Sequence, residues 1–459
     1  MVLRVCAALS QPLVFLRQLL HRLEIDRTAI IAGMGRGWQV LSGFVTMLLI
    51  VSFFTKEMQG YYYTFATLMS LQFIAEIGLG HVIVQFASHE WAKLTINNTG
   101  KVSGEPIAQS RLASFMRFIL AWYSIGALAS IVGLGAGGYL FFSQSSSAGV
   151  DWYWPWIFMS TVTGLYFLVI GVLGFLEGCN QVAFVYRYRL IQGVASSAIV
   201  WLLIFLGAGL WITVIPAAMG LVLAAVLMLR RYRTFFASLF TVAISNRIHW
   251  KEEIWPFQWR IVISLLSGLF INSLFTPVMF HYHGAVIAGQ TGLTLAVITN
   301  LPVMGLVLIQ PKLPLIAMMV AAKDYERLDR FFRKISITVL SVGFLGACAV
   351  FIVVYWLYAF GSGYSSRILS PLATGLLLLM IMVRLVLQLQ RVYLHAHKKE
   401  PLMWLSVAAG LAMGLSIWQL GSRYAAMGAV SGCLAVTLLI ELPWSSKIFS
   451  RKRQEWHNE

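Results

Sequence analysis

LWITVIPAAMGLVLAAVLML, residues 210–229, carries no charge along its length, and RRYR, residues 230–233, follows at once. An α-helix crossing a hydrocarbon layer of roughly 30 Å needs about 20 apolar residues. The first stretch is therefore read as a membrane crossing and the second as the basic loop that ends it. Working outward, eleven further runs of the same kind complete a set near 29–54, 60–87, 113–142, 154–177, 184–208 and 210–229, then 257–280, 289–310, 332–360, 366–390, 401–420 and 422–444. The basic residues fall in every second gap. The N-terminal segment, the even-numbered loops and the tail, counted with their flanks, hold 28 of the 34 Lys and Arg, whereas the odd-numbered loops hold only Lys56, Arg367 and Arg423. Cytoplasmic segments retain Lys and Arg, so both termini and the basic loops are expected in the cytoplasm.

Composition fits no water-soluble core: 59% of residues are hydrophobic and 11% charged. The net charge of +17 is dispersed over short loops, where orientation and anionic headgroups account for it; no nucleic acid partner is expected. Cys6, Cys179, Cys348 and Cys433 stand far apart, without the close spacings of metal or redox sites. No GxxxxGK[ST], HExxH, GxSxG or CxxC occurs, and Gly33-Met34-Gly35-Arg36-Gly37 lies within a crossing instead of following a strand. Glu252 and Glu253 are adjacent loop charges. No ATP hydrolysis, cofactor, metal or catalytic residue is expected, and the chain is not read as an enzyme. His281 and His283, in the outward turn Phe280–Gly284, are read as solvated and not as a metal pair.

The expected organisation is all-α and polytopic: a cytoplasmic amphipathic segment at 1–28, a first six-helix bundle at 29–229, a central cytoplasmic linker at 230–256, a second six-helix bundle at 257–445 and a basic cytoplasmic tail at 446–459. Leu13, Leu16, Leu20 and Leu23 keep helical spacing while Arg17 and Arg22 interrupt the apolar run, the pattern of a surface-lying helix. Outward loops are short, and Trp152, Tyr153, Trp154 and Trp156 suit the outer membrane–water boundary. Six crossings on each side of the linker give two halves of the same orientation, the parallel repeats of several transporters. The turns Lys56–Tyr61 and Ala288–Leu293, matched at Gly60 and Gly292, give an offset of 292 − 60 = 232 residues.

An ionisable group near the bilayer centre costs about 2.5–3.5 kcal/mol on insertion scales, so those inside the crossings single themselves out. Arg36 heads a stripe with Gln39, Gly43 and Thr46. Glu76 follows Gln72 by one turn, with Gly78 and Gly80 beyond. Arg260 opens the seventh crossing, followed on its face by Ser264 and Ser267. The tenth crossing places Arg384, Gln388, Arg391 and His395 on one face. Glu177 and Glu441 are read as interfacial.

The runs Thr55–Tyr62 (TKEMQGYY) and Ala75–Gly80 (AEIGLG) resemble the first helix pair of Wzx-type polysaccharide flippases, and Gln290–Thr294 (QTGLT) resembles that family's repeat of the same turn. Gln310–Pro314, Lys323–Leu328 and Tyr393–Lys399 add looser matches in the same order. The resemblance implies the fold of the multidrug/oligosaccharidyl-lipid/polysaccharide exporter superfamily, two six-helix bundles around a central cavity. It also implies the bacterial inner membrane and movement of undecaprenyl-linked oligosaccharide from inner to outer leaflet. Membrane lipid, the lipid-linked glycan, and polysaccharide polymerase and assembly proteins are the partners expected with it. Guanidinium binds phosphate oxygens in a bidentate fork, so Arg36 and Arg384 become the expected contacts for the anionic linkage. Gln39, Arg260 and Gln388 are expected beside them, with Glu76 as the ion-coupling group. A drug exporter of the same fold and a membrane glycosyl polymerase or ligase are the rival readings.

Overall fold

In hydrocarbon every backbone polar group must be satisfied within its own segment, which favours helices throughout. The computed structural model describes residues 27–76, 79–144, 149–245, 250, 252, 255–397 and 401–458. The amphipathic segment expected at 1–28 lies outside them except for its last two residues, as do Gly78, Ser145–Ser147 and the side chain of Arg260. Helix follows helix: α1 (Arg27–Phe53), α2 (Lys56–Ser70), α3 (Phe73–Glu76), α4 (Leu79–Trp91), α5 (Pro106–Ser143), α6 (Tyr153–Gly178), α7 (Val182–Phe205) and α8 (Ile215–Thr241). The second half contains α9 (Trp255–Ile298), α10 (Asn300–Leu306), α11 (Leu313–Ala321), α12 (Tyr325–Ala359), α13 (Pro371–Ala396), α14 (Met403–Val436) and α15 (Leu442–Asn458). Among the described residues, eight helices are long and apolar enough to cross a membrane. The architecture is that of an all-α, polytopic membrane protein.

Several expected boundaries differ. The second crossing is interrupted: α2 ends at Ser70, a tight turn holds Leu71 and Gln72, and α3 and α4 follow. Lys56–Tyr61 is helix, not turn, because Thr55 caps it by accepting from the Met58 amide at 3.1 Å and Glu57 sits in its first turn. The corresponding reversal in the second half lies at Gly284, whose φ of 84° breaks α9. Ala288–Leu293 is therefore helical too. The linker after residue 229 continues α8 through a 74° bend between Met228 and Arg230. The loop before α5 contains a small antiparallel hairpin, β1 (Leu94–Ile96) with β2 (Val102–Gly104), turned at Asn97, whose side chain accepts from the amides of Thr99 and Lys101. The eleventh and twelfth crossings run together through α14, broken at Tyr424 and Ala425. A π-turn, Thr437–Glu441, joins α14 to α15.

The chain divides into two compact units whose limits do not follow the midpoint. One comprises residues 1–49, 79–131 and 161–253, the other 50–78, 132–160 and 254–459. In the first unit, α1 packs on α7 through Trp38 Nε1, which donates to Ser197 Oγ at 3.1 Å, and Trp201 Nε1, which donates to Thr46 Oγ1 at 2.9 Å. The two indoles lie 6.0 Å apart. In the second unit, Tyr61, Phe65, Phe142, Trp156 and Phe280 form one buried aromatic cluster. Its indole lies over Gly138, where a Cβ would overlap the ring, and donates to Gly135 O at 3.1 Å.

Candidate functional site

In the first unit the side of α1 opposite Trp38 is open. Arg36 and Gln39 are exposed there, and Gly33, Gly35, Gly37 and Gly43 meet no other residue within 4 Å of where a Cβ would stand. Arg36 makes no hydrogen bond or ion pair among the described residues. Thr46, at the edge of the expected stripe, is instead held on the packed side by Trp201. The local cause is periodicity: Trp38, Ser42, Val45 and Leu49 are half-buried along one side of a 3.6-residue helix and leave Arg36, Val40 and Gly43 exposed on the other. A guanidinium kept in the apolar run of a crossing, unpaired and bordered by glycines, is a fixed positive charge with room in front of it.

The second unit contains the other expected arginine. Arg384 on α13 is half-buried, within electrostatic reach of Cys433 on α14. Gln388, one turn further, is also half-buried, and its Oε1 is shielded with no donor among the described residues. The expected continuation of this face is dispersed: Arg391 Nη2 donates to Ser406 Oγ at 2.9 Å, and His395 is exposed. Glu76 lies half-buried at the end of α3, at the interruption between α2 and α4. The structure thus places Arg384 and Gln388 on one turn, and Arg36 and Gln39 on one open face. Glu76 belongs to neither group.

Sequence reasoning missed a polar seam in the second unit. Gln59 on α2 is 1% exposed, and its Nε2 donates to Gly289 O at 2.9 Å and Arg367 O at 3.0 Å. Arg367 returns the contact through Nη1 to Gln59 Oε1 at 3.3 Å and donates through Nη2 to Phe54 O at 2.6 Å. Gln290 Nε2 donates to Ser366 O at 2.9 Å, and Leu369 N to Thr294 Oγ1 at 3.1 Å. The seam forms where α2 and α9 cross without intervening side chains: a Cβ on Gly60 would overlap the Ala285 carbonyl, and one on Gly289 would come within 2.9 Å of Gly60 N. Gly292 lies against Tyr63, so the glycine facing Gly60 is Gly289. The sequence signals were Arg367, a basic residue in an otherwise depleted outward loop, and Gly60 in the run Lys56–Tyr61.

One further reading changes in part. His281 is exposed, whereas His283 is half-buried and its Nε2 lies 2.7 Å from Gly421 O. Glu441 is 7% exposed inside the π-turn, and its Oε2 finds no donor among the described residues.

No protein-family model and no characterised protein sequence matches the chain. Solved structures do. The chain is similar to the lipid II flippase MurJ in an inward closed conformation, with a TM-score of 0.59 at 12% identity over 92% of this chain and 87% of that one. It is also similar to the MATE multidrug transporter DinF-BH, with a TM-score of 0.61 at 15% identity over 94% and 96%. A multidrug resistance MATE family transporter of the MOP superfamily, in an inward-facing conformation, gives 0.55 at 14% over 92% and 95%. The chain therefore has the fold these transporters share and is a multi-pass membrane protein.

Proposed function

We propose that this protein translocates undecaprenyl-linked oligosaccharide repeat units from the inner to the outer leaflet of the bacterial inner membrane, in surface polysaccharide biosynthesis. The observation that carries the reading is Arg36, without a partner among the described residues on an open, glycine-bordered face of a membrane helix. A fixed positive charge there attracts anions and opposes entry of drug cations, which weighs the lipid-linked phosphate above the multidrug reading. A fold shared with a lipid II flippase and the local resemblance to Wzx-type flippases support the same reading.

In this scheme Arg36, with Gln39, and Arg384, with Gln388, contact the phosphate linkage at successive stages, and Arg260 contributes from the start of α9. The polyprenyl tail stays in the bilayer. The sequence contains no Walker loop, so direction comes from an ion gradient, with Glu76 as the coupling carboxylate, or from consumption of the product outside. Both termini face the cytoplasm, and polymerase and assembly proteins receive the product.

The test is deletion of the gene in a strain without a redundant flippase, with leaflet-resolved labelling of the lipid-linked repeat. The complete repeat should accumulate on the cytoplasmic face and the surface polymer should disappear. Normal arrival at the outer leaflet overturns the proposal, and cation efflux by the purified protein in vesicles, without movement of the lipid-linked repeat, selects the drug exporter.

A further inference from the structure

We infer that the bent continuation of α8, residues 230–241, is a docking surface for anionic phospholipid headgroups of the leaflet it borders. The inference does not depend on which solute the protein moves. The apolar arm Ile215–Met228 ends where the helix turns by 74° into Arg230–Thr241, so this second arm leaves the direction of the crossing just where three arginines begin. Tyr232, Phe235 and Leu239 bury one face of it. The opposite face exposes Arg230, Arg233, Ala237 and Phe240 at i, i+3, i+7 and i+10, with Arg231 beside them, and Phe240 is 47% exposed. Guanidinium groups followed along one stripe by a bare aromatic ring match a headgroup layer bordering acyl chain.

The arm is held rather than merely adjoining the span. Arg117 Nη2 donates to Phe240 O at 2.9 Å and Val242 O at 3.2 Å, closing the arm's C-terminal end. Tyr232 OH donates to Gln181 Oε1 at 2.8 Å, and the hairpin leans on the arm through Val102 N, which donates to Ser238 Oγ at 3.2 Å. The balance of charge in the unit then points outward. Glu90 is paired with Arg111 at 2.8 Å, Glu105 with Lys93 at 3.0 Å and Glu177 with Arg189 at 3.1 Å. No carboxylate among the described residues pairs with Arg230, Arg231 or Arg233; the Arg231 guanidinium rests 5.9 Å from the Tyr232 ring centroid. Among the described residues, three bases on one braced helical arm at the end of a crossing thus lack an internal counter-charge, which lipid phosphates would supply.

Each basic residue near an anionic surface strengthens association about five-fold. The full chain, equilibrated in nanodiscs containing equal phosphatidylglycerol and phosphatidylcholine, should retain phosphatidylglycerol preferentially when released into detergent and weighed intact. R230Q/R231Q/R233Q should lower that preference by about ten-fold or more, and the triple Lys variant should keep most of it because charge is retained. Raising salt from about 50 mM to about 500 mM should weaken the wild-type preference, a reading that needs no variant to fold. Equal retention of the two lipids by the wild type overturns the inference, as does a folded triple Gln variant indistinguishable from it. Displacement of the lipid by millimolar inorganic phosphate would mark a site for soluble anions and overturn it as well.

Discussion

Arg36 and Arg367 are basic residues in opposite circumstances. Arg36 has no partner among the described residues and stands on an open face, so replacing it should leave packing intact and remove only what it offers a ligand. Export of lipid-linked glycan should rank wild type above Arg36→Lys above Arg36→Ala, with equal amounts of folded protein, because Lys keeps the charge but loses the bidentate fork. Full export by Arg36→Ala would exclude an essential phosphate contact. Arg367 is engaged by Phe54 O and Gln59, so Arg367→Ala should act on stability. Leaving those buried acceptors unmet costs about 1–3 kcal/mol, read as a lowered thermal midpoint of the purified protein. Arg36 is legible in the sequence because a charge in an apolar run calls for a reason. Gln59 is not: a neutral side chain beside a loop advertises nothing until the carbonyls it serves, 230 and 308 residues away, are placed next to it.

Among the elements, those set by hydrophobic length are legible and those set by local backbone geometry are not. The apolar run near 154–177 corresponds to α6 (Tyr153–Gly178) almost end to end, while the run near 366–390 overlaps α13 (Pro371–Ala396) with both ends shifted toward the C-terminus. The interruption at Leu71–Gln72 and the break at Tyr424–Ala425 lie in sequence without proline, where apolar composition reads as one continuous helix; the π-turn at Thr437–Glu441 precedes Pro443, which has no N–H for the Leu439 carbonyl. The crossing of α2 and α9 is half legible. Gly60 stands out in the sequence, but as a turn residue matched to Gly292, whereas it is a helical contact that meets Ala285 and Gly289. The obstacle at Gly60 is backbone, which cannot rotate aside, so Gly60→Val should destabilise by about 1–3 kcal/mol or more. Gly37→Ala, on the open face of α1, should be neutral or slightly stabilising because a helical glycine costs roughly 1 kcal/mol relative to alanine. Parallel thermal melts of the two variants check both; equal effects would contradict the crossing.

For the molecule as a whole, alternation of basic loops predicts which ends face the cytoplasm. In a cysteine-free background, an impermeant thiol reagent applied to intact cells should label Tyr364→Cys and leave Ser245→Cys and Ser450→Cys unlabelled; labelling at residue 245 would reverse the topology. The sequence suggests two halves joined by a linker; within one compact unit, the small-residue crossing, the polar seam and the aromatic cluster tie residues 50–78 and 132–160 to residues 254–459. This partition sets a schedule for biosynthesis. When Gln59 leaves the ribosome its acceptor at Gly289 lies 230 residues ahead, which at about 5–20 residues per second is on the order of ten to fifty seconds of waiting. Throughout that interval Gly60 lacks Ala285 and Gly289, and Tyr61 and Phe142 lack Phe280. A fragment ending at residue 253 should therefore be degraded when made alone and be recovered when residues 254–459 are co-expressed, as read by pulse-chase. Survival of the fragment at the full-length half-life would mean that the first half matures without waiting.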